Sequence, residues 1–104
     1  WVALFINLVE NYIFYFDSAG DTIIDEINVL VGRIIKQAND IGLNIQFYEN
    51  TMAHQKGKSE CGMYSLYLII ELLTGKKDYS YFLKTRVPDK SMIEFRNIYF
   101  NQHT

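Results

Sequence analysis

The order of secondary-structure elements that this sequence predicts, ββαβααα, is that of a small α+β domain. The chain opens with two short segments rich in aliphatic and aromatic residues. Its hydrophobic spacing then changes to intervals of three and four, and a later run is apolar on nearly every side. With 104 residues, of which 49% are hydrophobic and 21% charged, the chain can bury a core, and we interpret residues 1–104 as a single domain.

The N-terminal half predicts a hairpin, a helix and a third strand. Residues 1–8 and 12–17 form the antiparallel hairpin, since both segments favour strands and only a short connection separates them. The helix begins at Asp21, which can cap its first turn, and ends at Gly42. Residues 44–50 alternate in polarity and predict the third strand. The apolar positions of the helix are Ile23, Ile27, Leu30 or Val31, Ile34 and Ala38.

The C-terminal half predicts three helices after a polar loop at residues 50–58. The first of these begins near Ser59 and ends at Leu73, and its all-round apolar character places it in the middle of the domain. Residues 79–85 predict a short helix, and Pro88 with Asp89 opens the last one. The inward positions predicted for the last helix are Met92, Ile93, Phe95 and Ile98 or Tyr99.

Charge and cysteine usage exclude several classes of protein. The net charge is −2 and no basic run exceeds Lys76-Lys77, so we expect no nucleic-acid partner. The longest apolar run, around residues 66–70, is too short for a membrane span. A single cysteine forms no internal disulfide and indicates an intracellular setting. The strand-like opening "WVALFINLV" is unlike a signal peptide and predicts a chain that begins inside a strand of a longer protein.

The lone cysteine, Cys61, lies where the polar loop meets the apolar helix. An unperturbed thiol has a pKa of about 8.5 and is a poor nucleophile near neutral pH. A place in the first turn of a helix favours the thiolate, because free N–H groups and the positive end of the helix dipole are there. Cys61 is therefore a candidate nucleophile, and the alternative is a small, inert core residue.

Two further residues can serve a thiol. Gln55 lies six residues before Cys61, where a side-chain amide can donate to an oxyanion together with the Cys61 backbone N–H. Asp17 ends the second strand, where a carboxylate can orient a histidine from the adjacent strand. The alternatives are a solvated loop residue for Gln55 and a turn residue for Asp17, since "DSAGD" is good turn chemistry.

Together these segments resemble the SUMO (ubiquitin-like-protein) cysteine protease family of the adenain clan. The family pattern is a His-Trp pair opening a strand, an Asp-Ser pair ending the next, and a Gln five residues before an acid-Cys-Gly-x-Tyr segment. Here Trp1, Asp17 with Ser18, Gln55 and residues 60–64 match it in order. The tail "DKSMIEFRNIYF" is similar to members from large DNA viruses, which process virion core proteins.

The resemblance implies a papain-like (adenain-like) fold, with a small mixed sheet packed against a central helix that carries the nucleophile. It implies that the chain is the C-terminal catalytic part of a cysteine protease that cuts after Gly-Gly in ubiquitin-like precursors or viral polyproteins. Trp1 would then roof the groove that admits the Gly-Gly segment, and its alternative role is core packing. No metal or organic cofactor is implied, and the partner is a protein substrate in the cell or the virion.

The chain departs from the family at the histidine, which would stand directly before Trp1. His54 is next to Gln55 and is an alternative base, whereas His103 lies in a tail that we expect to fray. We therefore expect an N-terminally truncated chain that is nearly inert, from a parent that is the enzyme. The rival hypotheses are a binding module with a protease-like fold that recognises a ubiquitin-like or viral partner without cutting it, and a structural domain with an inert cysteine.

Overall fold

A three-stranded sheet lies at the centre of the computed structural model, which describes residues 1–57 and 60–100. The strands are β1 (Ala3–Asn7), β2 (Tyr12–Phe16) and β3 (Gln46–Glu49), in the order β1-β2-β3. β1 and β2 pair antiparallel and β2 and β3 pair parallel, so the sheet is mixed. The predicted hairpin and third strand are confirmed.

The central strand β2 divides the core into two layers. All five of its residues are buried, and successive side chains point to opposite faces of the sheet. Tyr12, Phe14 and Phe16 pack in the larger cluster with the C-terminal helices. Ile13 packs on the other face in a smaller cluster with Val31 of the first helix. A fully apolar central strand is what a sheet covered on both faces requires.

The first helix, α1, spans Asp25–Asp40, so the predicted start at Asp21 was wrong. Ile24 is the residue before its first turn, and no side chain caps it. The Ile23 N–H donates to Glu49 Oε2 at 3.2 Å, which ties the approach to α1 to the end of β3. The chain stays extended through Ile24 (φ −74°, ψ 154°) with Ile23 packed against the smaller cluster, so the helix begins only at Asp25, and Asp21 instead lines a cavity beside the sheet.

The predicted end of α1 at Gly42 is confirmed. Gly42 has φ of +85°, a left-handed conformation that side chains other than glycine rarely adopt. The Gly42 N–H donates to Asn39 O at 3.1 Å and the Leu43 N–H donates to Ala38 O at 2.8 Å. This pair of bonds is the Schellman arrangement that satisfies the last carbonyls of a helix.

Three helices follow on one side of the sheet: α2 (Cys61–Thr74), α3 (Tyr79–Lys84) and α4 (Asp89–Phe100). As predicted, α2 is central, with Tyr64, Tyr67 and Leu68 buried. The predicted start at Ser59 lies outside the described residues, and within them the helix begins at Cys61. No described helix is both long enough and apolar enough to cross a bilayer.

The inward face of α4 is narrower than the sequence predicts. Met92 is fully buried, and Phe95 and Tyr99 pack against the larger cluster, as expected. Ile93 was predicted to face inward but is about half exposed, and of the alternatives Ile98 and Tyr99 it is Tyr99 that packs inward. The inward residues lie at intervals of three and four along one stripe, because α4 packs on α2 at the edge of the domain rather than inside it.

Candidate active site

Cys61 is the first residue of α2 and is half-buried. The first N–H groups of a helix have no acceptor four residues earlier, so they surround the thiol with partial positive charge. Glu60 immediately precedes it, and the Glu60 carboxylate accepts a hydrogen bond from Arg96 Nη2 at 2.6 Å. The guanidinium of Arg96 therefore compensates the negative charge that lies next to the thiol in sequence.

Trp1 lies against the same turn of α2. Its backbone nitrogen is 3.7 Å from Cys61 Sγ, and its indole covers Gly62, where an added Cβ would meet the ring at 3.6 Å. Trp1 is 85% exposed, so the core-packing alternative for Trp1 was wrong. An aromatic ring that is exposed beside a candidate nucleophile is well placed to contact a ligand.

A cavity of about 350 Å³ brings the four predicted site residues together. Trp1, Asp17, Gln55 and Cys61 all line it, although they come from three separate parts of the chain. The other residues that line this cavity are Val2, Ala19, Asp21 and Gly57. A concave surface where a thiol, a carboxylate and an amide converge is the kind of site that a catalytic group needs.

Asp17 has two structural contacts in addition to its place in the cavity. Its Oδ1 accepts from the Ala19 N–H at 2.9 Å, which is the turn role that the sequence offered as an alternative. Its backbone N–H and C=O are both bonded to the side chain of Asn50, at 2.9 and 2.6 Å. The turn role therefore coexists with the cavity position, and the clamp by the buried Asn50 fixes where the carboxylate lies.

The turn that begins at Asp17 packs closely on the loop that carries Gln55. Gly20 in this turn has φ of +79°, and a Cβ there would meet Ala53 N at 3.0 Å and Thr51 O at 3.1 Å. A larger residue would therefore push two backbone segments apart, whatever conformation it adopted. Glycine at position 20 is what allows the turn and the loop to meet beside the cavity.

Gln55 is buried, so the solvated-loop alternative for it was wrong. Its Oε1 accepts from the Ser18 hydroxyl at 2.6 Å, and its backbone N–H donates to Ser18 O at 2.8 Å. The side-chain NH2 is then the part of the amide that remains to donate into the cavity. A donor held in advance at such a place is what an oxyanion hole requires.

His54, by contrast, is a structural residue. It is fully buried, and its two ring nitrogens are both engaged by the backbone: the Val87 N–H donates to Nδ1 at 2.8 Å, and Nε2 lies 2.9 Å from Phe82 O. Because Nδ1 accepts, Nε2 must carry the proton and donate to that carbonyl. A ring held in this way is not available to take a proton from Cys61, so the alternative base is ruled out. His103 lies outside the described residues.

The burial of His54 predicts that the domain loses stability in mild acid. Burial lowers the pKa of His54 below its ordinary value of 6.5, because the charged ring would be poorly solvated in the core. Charging the ring would also break the bond from the Val87 N–H. Between pH 6.5 and the lowered pKa, His54 binds a proton in the unfolded chain but not in the folded chain. The free energy of unfolding therefore falls as pH decreases through this range. Urea unfolding between pH 7.5 and 5 should show this fall, and a His54→Gln variant, destabilised at every pH, should show less of it. An equal slope in both proteins would assign the effect to other groups.

Asp89 does not line the cavity but supports the loop beside it, a role that the sequence did not reveal. At the start of α4, its Oδ2 accepts from the N–H groups of Lys56 and Gly57 at 3.1 and 3.0 Å, and its Oδ1 accepts from the Tyr64 hydroxyl at 3.1 Å. Burial raises the pKa of Asp89, but the hydrogen bonds from Gly57, Lys56 and Tyr64 outweigh it and leave the pKa below its ordinary value. The ionised carboxylate thus holds Lys56 and Gly57, which directly follow Gln55, and the Pro88-Asp89 helix start in the sequence does not predict this contact.

Comparison with known proteins agrees with this geometry. A SUMO-1 cysteine protease of African swine fever virus is 32% identical over 103 residues, which are 96% of this chain and 37% of that protein. A putative thiol protease of Acanthamoeba polyphaga mimivirus is 28% identical over 101 residues, 96% of this chain and 33% of that protein. Both organisms are viruses, which agrees with the branch that the C-terminal tail indicates. The chain thus spans about a third of the length of these relatives.

Comparison with solved structures indicates the same relationship to viral cysteine proteases. A crystal structure of the African swine fever virus protease aligns with a TM-score of 0.85 at 32% identity, covering 92% of this chain and 37% of that one. The predicted α+β architecture, with a small mixed sheet packed against the central helix that begins at Cys61, is therefore confirmed. The sequence model of the "Ulp1 protease family, C-terminal catalytic domain" matches residues 1–104 of this chain. The chain belongs to the Ulp1 protease family.

Proposed function

We propose that the protein containing this chain is a cysteine endopeptidase that cleaves after Gly-Gly, in a ubiquitin-like precursor or conjugate or in a viral polyprotein. The observation that carries the proposal is that Trp1, Asp17, Gln55 and Cys61 all line the same cavity. The names of the relatives, a SUMO-1 cysteine protease and a putative thiol protease, support the same reaction, and the first supports a ubiquitin-like substrate.

The reaction begins when the base takes the proton of the Cys61 thiol and the resulting thiolate attacks the carbonyl carbon of the scissile bond. A C–S bond forms and the carbonyl oxygen becomes an oxyanion, which accepts from the Gln55 side-chain NH2 and the Cys61 backbone N–H. The intermediate expels the amine, which takes a proton from the base, and leaves a thioester. Water, giving its proton to the same base, then attacks the thioester and releases the carboxylate product and the thiol.

The base in this proposal is a histidine bonded directly before Trp1. The Trp1 nitrogen lies 3.7 Å from Cys61 Sγ, so a residue attached to it would start beside the sulfur. Asp17, which lines the same cavity, would accept a hydrogen bond from that imidazole and fix its orientation. Because both nitrogens of His54 are engaged elsewhere, the 104-residue chain alone should be nearly inactive.

Extending the chain upstream tests the proposal. We expect a protein extended through the residues that precede Trp1 in its parent to cleave a Gly-Gly-x ubiquitin-like precursor, while its Cys61→Ala variant and the 104-residue chain do not. Mass spectrometry of the products would locate the cut, and an alanine in place of the preceding histidine is the matched control. Binding without cleavage would favour the binding module, and full activity of the 104-residue chain would mean that another group is the base.

A further inference from the structure

Ser18 is buried at the end of β2, next to Asp17, and only 1% of it is exposed. Its hydroxyl donates to Gln55 Oε1 at 2.6 Å, across 37 residues of sequence. Its carbonyl accepts from the backbone N–H groups of both His54 and Gln55 at 2.8 Å. Ser18 therefore contacts Gln55 through both main chain and side chain.

The hydroxyl bond selects one of two orientations of the Gln55 amide. In the observed orientation the hydroxyl hydrogen has an acceptor, and the NH2 group is directed away from Ser18. After a half-turn of the amide, the NH2 would donate to Ser18 Oγ and the hydroxyl hydrogen would need another acceptor. Within residues 1–57 and 60–100 its one hydrogen-bond acceptor is Gln55 Oε1. An unsatisfied buried hydroxyl is costly, so the observed orientation is favoured.

The orientation matters because the two ends of the amide act oppositely on an oxyanion. The NH2 end donates and stabilises developing negative charge, whereas the oxygen end would repel it. The backbone bonds from Ser18 place residue 55, and the hydroxyl bond sets which end of its side chain faces the cavity that Cys61 also lines.

We propose that Ser18 is a positioning residue that keeps the Gln55 amide in the orientation that donates to the oxyanion. The inference rests on the proposed proteolytic function and adds a second role to the turn after β2. Asp17 orients the base and Ser18 orients the oxyanion donor, so two adjacent residues position the two groups that act with the nucleophile.

The test uses the upstream-extended protein and the Gly-Gly-x substrate. Ser18→Ala should lower kcat about tenfold with KM little changed, because a favoured orientation is lost while the amide remains. Ser18→Thr, which keeps the hydroxyl, should retain more activity than Ser18→Ala. Ser65→Ala removes another buried serine hydroxyl, from the α2 helix, and should leave kcat unchanged.

A double-mutant cycle separates positioning from a merely structural role. In a Gln55→Ala background, Ser18→Ala should cause no further loss of kcat, since there is no amide left to orient. An equal loss in both backgrounds, or an unchanged kcat for Ser18→Ala in the presence of Gln55, would overturn the inference. Circular dichroism melting of each variant confirms that the compared proteins are folded.

A readout without catalysis keeps this inference distinct from the proposed function. If the extended protein does not cleave the substrate, the proposed function fails. The positioning role of Ser18 is then tested by NMR of the 104-residue chain. The Gln55 side-chain NH2 signals, assigned with a Gln55→Glu variant, should shift and exchange faster with water in Ser18→Ala, but not in Ser65→Ala. Unchanged Gln55 signals in Ser18→Ala would overturn the positioning role.

Discussion

Replacing Gln55 with alanine in the upstream-extended protein is expected to lower kcat by about 10² to 10³, with KM little changed. The NH2 group of Gln55 matters most when charge develops on the substrate oxygen, so its loss affects the transition state more than substrate binding. The structure gives this expectation its basis, because Gln55 is buried, anchored by Ser18 and lines the cavity with Cys61.

The control for this substitution is Gln46→Ala. Gln46 is an exposed glutamine on β3 and does not line the cavity, so kcat should be unchanged. Stopped-flow or fluorogenic assays at saturating substrate measure kcat directly, and thermal melting checks that both variants are folded. A tenfold or smaller loss for Gln55→Ala would mean that the amide is not a principal oxyanion donor.

The elements that the sequence predicted correctly are those whose own residues determine them. β2 reads as a strand because every residue in it is apolar and favours extended structure, and α1 ends at Gly42 because the left-handed turn there favours glycine. α2 is apolar on most sides, and it is indeed the helix that the rest of the domain surrounds.

The elements predicted wrongly depend on contacts between distant residues. Asp21 has the chemistry of a helix cap, but the packing of Ile23 and its bond to Glu49 accompany an extended chain through Ile24, and α1 begins at Asp25. Ile93 is apolar, yet α4 uses only one stripe of its surface, and its position at the edge leaves Ile93 half exposed. Neither effect can be read from local composition.

The residues of the candidate site also divide into those that the sequence predicted and those that it did not. Cys61, Gln55, Asp17 and Trp1 were found because each occupies a recognisable place at an element boundary and because their order resembles a family. The residues that support the site were not found from the sequence. Ser18 reaches Gln55 across 37 residues and Asp89 reaches Lys56 across 33, and no local pattern marks such pairs. Side chains that hold a site in place are chosen by the tertiary fold.

Changing either glycine of the substrate's Gly-Gly segment to valine is expected to abolish turnover by the extended protein. The Trp1 indole lies 3.6 to 3.8 Å from where a Cβ on Gly62 would be, directly beside Cys61. A substrate chain that reaches the sulfur must therefore pass close to this ring. Glycine passes with the least volume, whereas a β-branched side chain adds bulk where a ring and a helix backbone already meet.

Removing the ring should reverse this selectivity in part. Trp1→Ala should lower kcat/KM for the Gly-Gly substrate, since the indole no longer orders the chain near the thiol, while raising cleavage of the valine substrate above its background. Val9→Ala is the matched control, because Val9 is also highly exposed but lies at the hairpin tip, away from the residues that line the cavity. If wild type cut the valine and glycine substrates equally well, Trp1 would not limit the groove. If Trp1→Ala lowered both rates in the same proportion, the ring would contribute to binding without selecting glycine.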